Sequence, residues 1–137
     1  MELIYYSARN GGPDERLRRV IELFFPKENS GIYGNPVEFA GALRKGSDAS
    51  TIVLIHAVSK EDLRMIVEMK ELLLDRRIIL ILPDRDTSTI AMGHILRPRL
   101  LSFEDSDFFE IAAVLTRMTE PRNEGANKGR RIGFRGV

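Results

Sequence analysis

Short, wholly apolar segments recur along the chain and predict β-strands. Thr51–Ala57 and Ile78–Leu82 carry apolar residues at nearly every position, without the alternation of a half-exposed strand. A strand that is apolar on both faces is typical of a parallel sheet covered by helices on both sides. Three shorter runs, Glu2–Ser7, Gly31–Tyr33 and Leu100–Phe103, predict further strands. The pattern therefore predicts five strands, two of which are fully buried.

The segments between these strands carry apolar residues at helical spacing. Asn35 and Pro36 match the pattern of an N-cap residue followed by a proline at the first helical position, so they predict the start of a helix. Ser59 and Asp62 resemble a capping box that opens a helix ending near Asp75. The clearest helical face, at positions i, i+3, i+4 and i+7, is formed by Leu17, Val20, Ile21 and Phe24.

Strands and helices alternate along the chain until about residue 120. The last two predicted helices cover 87–96 and the segment after Ser106 or Asp107. Such alternation predicts an α/β fold in three layers, a doubly wound parallel sheet with right-handed crossovers and helices on both faces. For five strands in a chain of this length, the flavodoxin-like, receiver-like order 2-1-3-4-5 is the leading arrangement, although periodicity alone does not determine strand order.

Composition excludes several classes of protein. The chain has 137 residues and no cysteine, which rules out a disulfide framework, thiol catalysis and cysteine-ligated metals. Two histidines give little basis for a His-rich metal site. The apolar runs are far shorter than the roughly 20 residues that span a bilayer, and the first residues lack a signal-peptide pattern. We therefore expect a cytoplasmic protein with no cofactor, no bound metal and no membrane partner.

The near-neutral net charge conceals an uneven distribution. The segment Pro121–Val137 is rich in glycine and arginine and carries a net charge of +4, whereas the preceding 120 residues carry −3. We predict a folded domain over 1–120 and a basic extension over 121–137, because the extension has too few apolar residues to offset its ordering entropy. Clustered arginines attract phosphate, so the extension makes nucleic acid a candidate partner. It is the weakest of the candidate partners considered.

Candidate functional residues follow the predicted strands, because ligands of doubly wound sheets bind beyond the carboxyl ends of the strands. Ser7, Arg9 and Asn10 follow the first strand in a glycine-rich loop that could hold an anion, although it lacks the spacing of known phosphate-binding loops. His56 ends the third strand, either as a phosphoryl acceptor, general base or pH-sensing group, or as a histidine bonded to a neighbouring loop. Asp84 follows the fourth strand, where it either binds a cation or stabilises a turn.

This layout resembles the receiver domain of two-component response regulators. The resemblance implies an acidic pair after the first strand, where this chain has Ser7 to Asn10 without a carboxylate. It also implies a phosphoacceptor aspartate at the end of the third strand, where this chain has His56, and a lysine after the fifth, where it has Phe103. Thr or Ser, implied after the fourth strand, is replaced by Pro83 and Asp84. The sequence therefore resembles a pseudo-receiver without the phosphorylation residues.

The leading functional hypothesis is a non-catalytic, receiver-like domain of signal transduction that binds a protein partner or forms a homodimer. In the receiver family the last strand and helix form a common dimer surface, and this resemblance makes Phe103 and Phe109 the candidate interface residues. The alternative is a flavodoxin-like domain that binds an anionic small molecule or nucleotide with Ser7, Arg9, Asn10 and His56 at the carboxyl edge of the sheet.

Overall fold

The chain forms a five-stranded, all-parallel sheet in the order β2-β1-β3-β4-β5. The computed structural model describes residues 2–8, 15–45, 50–106 and 108–119. All five predicted strands and their predicted order are confirmed. The strands are β1 (Leu3–Ser7), β2 (Ser30–Tyr33), β3 (Ile52–His56), β4 (Arg77–Leu82) and β5 (Leu100–Phe103).

Six helices lie in the described part of the chain, with a short 3₁₀ turn at Lys27–Asn29. The predicted helix after Ser59 is divided at Met69, where the backbone leaves helical geometry. Two backbone hydrogen bonds with the i to i+3 spacing of a 3₁₀ turn span the break: Met69 N donates to Ile66 O, and Leu72 N donates to Met69 O. The helices are α1 (Glu15–Phe24), α2 (Pro36–Arg44), α3 (Lys60–Glu68), α4 (Lys70–Leu73), α5 (Thr87–His94) and α6 (Phe109–Thr119).

Both predicted N-caps are present, but the second is not a full capping box. The Asn35 side chain accepts hydrogen bonds from the backbone N–H groups of Val37 and Glu38, which confirms the start of α2. The Ser59 hydroxyl accepts from Asp62 N at 3.0 Å. The Asp62 carboxylate accepts instead from the Tyr6 hydroxyl and from Val58 N.

Each face of the sheet has its own hydrophobic core, since successive strand residues point to opposite sides. Helices α2 to α5 cover the first face, and α1 and α6 cover the second. On the first face the rings of Tyr6 and Phe39 stack with centroids 4.8 Å apart, and both side chains are fully buried. On the second face Leu17, Ile21 and Ile111 pack against the inner strands. The two layers account for the unbroken apolar pattern of β3 and β4.

Helix α5 lies unusually close to the first face. A Cβ atom at Gly93 would stand 3.1 Å from a methyl carbon of Leu80 and 3.2 Å from one of Leu101. The glycine therefore allows the helix backbone to rest directly on the leucines of β4 and β5.

No helix in the described ranges is both long enough and apolar enough to cross a membrane. The predicted extension over 121–137 lies outside the described residues.

Candidate functional site

Three polar side chains share one face of the sheet at its carboxyl edge. Strand register pairs Ser7 with His56, His56 with Ile81, and Ile81 with Ser102. The residues two positions earlier in these strands belong to the core under α1 and α6: Tyr5, Leu54 and Leu100. Residues two apart in a strand point to the same face, so the three polar side chains also point to the α1–α6 side. All three are buried, with exposures of 7%, 2% and 1%. We call Ser7, His56 and Ser102 the polar row.

His56 is paired with Glu104, a residue that the sequence did not single out. His56 Nε2 lies 2.7 Å from Glu104 Oε2. The Glu104 backbone N–H bonds to Leu82 O, which fixes the loop after β5 beside the end of β4. An ionised carboxylate only accepts hydrogen bonds, so Nε2 is the donor in this contact. The one available signal for Glu104 was a carboxylate directly after the fifth strand, at the same edge as His56.

A second polar pair, which is fully buried, lies on the opposite face of the same edge. The Tyr6 hydroxyl donates to Asp62 Oδ1 at 3.0 Å, and Val58 N donates to Asp62 Oδ2 at 3.0 Å. Burial, reinforced by the charge and hydrogen bond of Asp62, raises the pKa of the Tyr6 hydroxyl above its usual 10.0. Asp62 therefore joins the start of α3 to the end of β1, a role beyond the local cap predicted for it.

Asp84 belongs to a separate group in the loop between β4 and α5. Its Oδ1 accepts from Asp86 N at 2.9 Å, which forms a local turn. The hydroxyl of Thr89 beside it, together with this backbone bond, lowers the pKa of the Asp84 carboxyl. Lys60 Nζ lies 2.7 Å from Asp86 Oδ2. These contacts agree with the turn interpretation, and the described ranges contain no group of three His, Asp or Glu that could hold a metal ion.

The two candidate interface residues differ in their surroundings. The Arg85 guanidinium lies 4.0 Å from the centre of the Phe103 ring and 2.8 Å from Asp105 Oδ1. The hydrogen bond from Arg85 lowers the pKa of the Asp105 carboxyl. Phe103 is half-buried and packs against the core on the first face of the sheet, under α2 to α5. Phe109, at the start of α6, is 75% exposed. Arg85 thus covers one candidate ring and leaves Phe109 as the more accessible one.

The structure brings together only part of the predicted site. Ser7 and His56 are direct cross-strand neighbours, while Asp84 is engaged with the Lys60 and Asp86 group. Arg9 and Asn10 lie outside the described residues. The class that fold and site define is a parallel, flavodoxin-like α/β domain with a partly buried His–Glu pair at its carboxyl edge. Comparison of the chain with protein-family models, curated proteins and solved structures gives no match.

Proposed function

We propose that this protein is a non-catalytic, receiver-like regulatory domain that acts through protein–protein interaction and is not phosphorylated on aspartate. The observation that carries the proposal is the residue at the end of β3. His56 stands there, 2% exposed and bonded to Glu104. Aspartyl phosphorylation requires a carboxylate nucleophile open to the phosphodonor. The buried imidazole supplies neither the carboxylate nor the access.

The charges around this position also oppose phosphoryl transfer. The receiver resemblance implies an aspartate at the end of β3 and a lysine after β5. Here His56 and Phe103 occupy those two positions, and the residue after Phe103, Glu104, adds a carboxylate beside His56 where a cation would be needed to offset phosphoryl charge. Asp62, a buried carboxylate at this edge, is already engaged by Tyr6 and Val58.

Treatment with a small phosphodonor tests the absence of phosphorylation. We expect no gain of a phosphoryl group by intact-mass spectrometry after incubation with acetyl phosphate and Mg²⁺, because no accessible carboxylate stands at the end of β3. A receiver domain of known activity, treated in parallel, shows that the reagent works. The His56→Gln variant separates phosphorylation of this imidazole from labelling elsewhere. A stoichiometric mass gain in the native chain contradicts the proposal.

Self-association through α6 is the form of protein interaction that the chain alone can reveal. The Phe109 side chain is 75% exposed, and burying an aromatic ring in an interface is strongly favourable. We expect Phe109→Ser to weaken dimerisation at least about tenfold in sedimentation equilibrium. Leu23→Ser, at an equally exposed position on α1, is the matched control. Dimerisation that Leu23→Ser weakens and Phe109→Ser does not would assign the interface to α1.

A second candidate function, a small-molecule site at the carboxyl edge, is supported by the polar row. The Ser102 hydroxyl is buried and has no hydrogen-bond partner within the described residues. A buried hydroxyl without a partner is a position where a ligand or water supplies one. The Glu104 carboxylate beside His56 disfavours an anion at this point, which is why the binding hypothesis ranks second.

A further inference from the structure

A cationic cavity opens at the amino-terminal edge of the sheet, opposite the candidate site. It has a volume of about 340 Å³ and lies between the loop that precedes β4 and the loop that precedes β5. Leu74 and Ile95 are 60% and 50% exposed, and both line it. Its charged lining residues are Lys70, Asp75, Arg76, Arg97 and Arg99. We call this space the amino-edge cavity.

The charge of the cavity lining is strongly one-sided. Four cations stand against the single carboxylate of Asp75, which gives a net charge of +3. None of the four cations forms an ion pair with a described carboxylate. Cations near helix C-termini are often explained by the helix dipole. That explanation suits Lys70, Arg76 and Arg97, which follow α3, α4 and α5. It does not suit Arg99, which lies just before β5.

Arg76 supplies a fixed donor at the cavity wall. Its Nη2 donates to Leu43 O at 2.8 Å, which anchors the guanidinium to the last turn of α2. Its Nη1 is buried and has no hydrogen-bond partner among the described residues. The bond to Leu43 fixes the position of this cation in the cavity wall, and a guanidinium of fixed position is suited to a phosphate or carboxylate oxygen.

The backbone of both cavity loops is held in an uncommon conformation. Asp75 has a φ of 64° and Arg97 a φ of 52°, the left-handed region in which residues other than glycine are uncommon. Each of these residues follows a helix, and each lines the cavity. Both loops therefore turn tightly at the cavity, and the charged side chains of Asp75 and Arg97 occupy positions for which glycine would be the unstrained choice.

We infer that the amino-edge cavity binds a small organic phosphate that carries an apolar group. Four cations favour a dianion over a carboxylate, and the leucine and isoleucine side chains provide surface for an apolar substituent. The cavity volume lies near the lower end of small-molecule sites, so it fits a monoester of modest size. This inference goes beyond the proposed function and is independent of it, since the cavity lies at the opposite edge of the sheet from His56.

Titration with phenyl phosphate, followed in two-dimensional ¹H–¹⁵N NMR spectra, tests the inference. We expect saturable shifts confined to amides of 70–76 and 95–99, because those segments line the cavity. Phenyl phosphate should bind at least about tenfold more tightly than inorganic phosphate, and phenol should produce no comparable shifts. Saturable binding without this preference, or no saturable binding at all, overturns the inference. Shifts centred on Ser7, His56 and Glu104 also overturn it and support a site at the carboxyl edge.

Charge-matched variants separate the cavity from the general charge of the protein. Lys70→Gln with Arg99→Gln should weaken phenyl phosphate binding at least about tenfold. Arg16→Gln with Arg18→Gln removes the same charge from the first turn of α1, toward the opposite edge of the sheet, and should change the affinity by no more than about twofold, because exposed charges far from the cavity are screened by salt. Equal weakening in both variants shows non-specific attraction and contradicts the assignment.

Discussion

Replacing Phe39 by alanine is expected to lower the free energy of unfolding by about 3–5 kcal/mol, the largest stability effect of the substitutions considered. Phe39 is fully buried under α2 and stacks on Tyr6 at 4.8 Å. The change removes the ring's buried apolar area, leaves a cavity in the first core and abolishes the aromatic contact. Domains of this size are stable by about 5–15 kcal/mol, so the loss amounts to between about a fifth and all of the stability.

Urea denaturation followed by far-UV circular dichroism measures this loss. Val37→Ala is the control, because Val37 lies on the same helix and is 79% exposed, so its loss should stay within about 0.5 kcal/mol. If Phe39→Ala does not fold, Phe39→Leu keeps most of the volume and should cost less than about 2 kcal/mol. A loss below about 1 kcal/mol for Phe39→Ala would contradict the tight packing of α2 against β1.

The second large effect is expected at Asp62. The Asp62→Ala variant leaves the buried Tyr6 hydroxyl and the Val58 N–H without their acceptor. An orphaned buried donor costs about 1–3 kcal/mol, and the Val58 N–H is only partly buried and costs about 1 kcal/mol, so we expect a total loss of about 2–4 kcal/mol. Glu61→Ala, one position earlier and exposed, should cost about 0.5 kcal/mol or less.

A double-mutant cycle isolates the contact between Tyr6 and Asp62. Tyr6→Phe alone removes the hydroxyl and leaves Asp62 bonded to Val58, so it should cost only about 1 kcal/mol. In the double variant Tyr6→Phe with Asp62→Ala, the Tyr6 hydroxyl is absent, so only the Val58 N–H loses its acceptor. The double variant should therefore be more stable than the sum of the single losses predicts, by about 1–2 kcal/mol. Strict additivity would show that the two side chains do not interact.

The same pair should make stability fall at alkaline pH. The pKa of Tyr6 is raised in the folded state, so the folded protein holds this proton more strongly than the unfolded chain. Its contribution is complete below pH 10.0, the usual pKa, and decreases as the pH rises above that value. Native protein should lose up to about 1.4 kcal/mol per pH unit relative to Tyr6→Phe above that point. Parallel pH profiles of the two proteins would contradict this dependence.

The features that the sequence predicted correctly depend on local patterns. Five strands follow from runs of apolar residues, and the start of α2 follows from Asn35 beside Pro36, because each signal lies within a few residues of its effect. The order 2-1-3-4-5 is the usual arrangement for such an alternation, and it is observed. The sequence did not predict the break at Met69. The i to i+3 hydrogen bonds around it keep the apolar residues of α3 and α4 on one face, so the helical pattern continues through the break.

The site was only partly predictable because its contacts join distant segments. Glu104 reaches His56 across the intervening strand β4, and 48 positions separate the two in the chain. Asp62 was identified as a cap, but its bond to Tyr6 depends on β1 lying beside β3. The amino-edge cavity requires β4 and β5 to be neighbours, since only then do the loops before them meet.

The unequal lengths of the strands bear on aggregation. The outer strands β2 and β5 have four residues each, whereas the inner strands have five or six. Short outer strands offer few open backbone groups to another chain. The uncharged, wholly apolar segment Ile78–Leu82 is paired on both sides inside the sheet. Fibril or aggregate formation should therefore follow the population of unfolded molecules rather than the concentration of native ones.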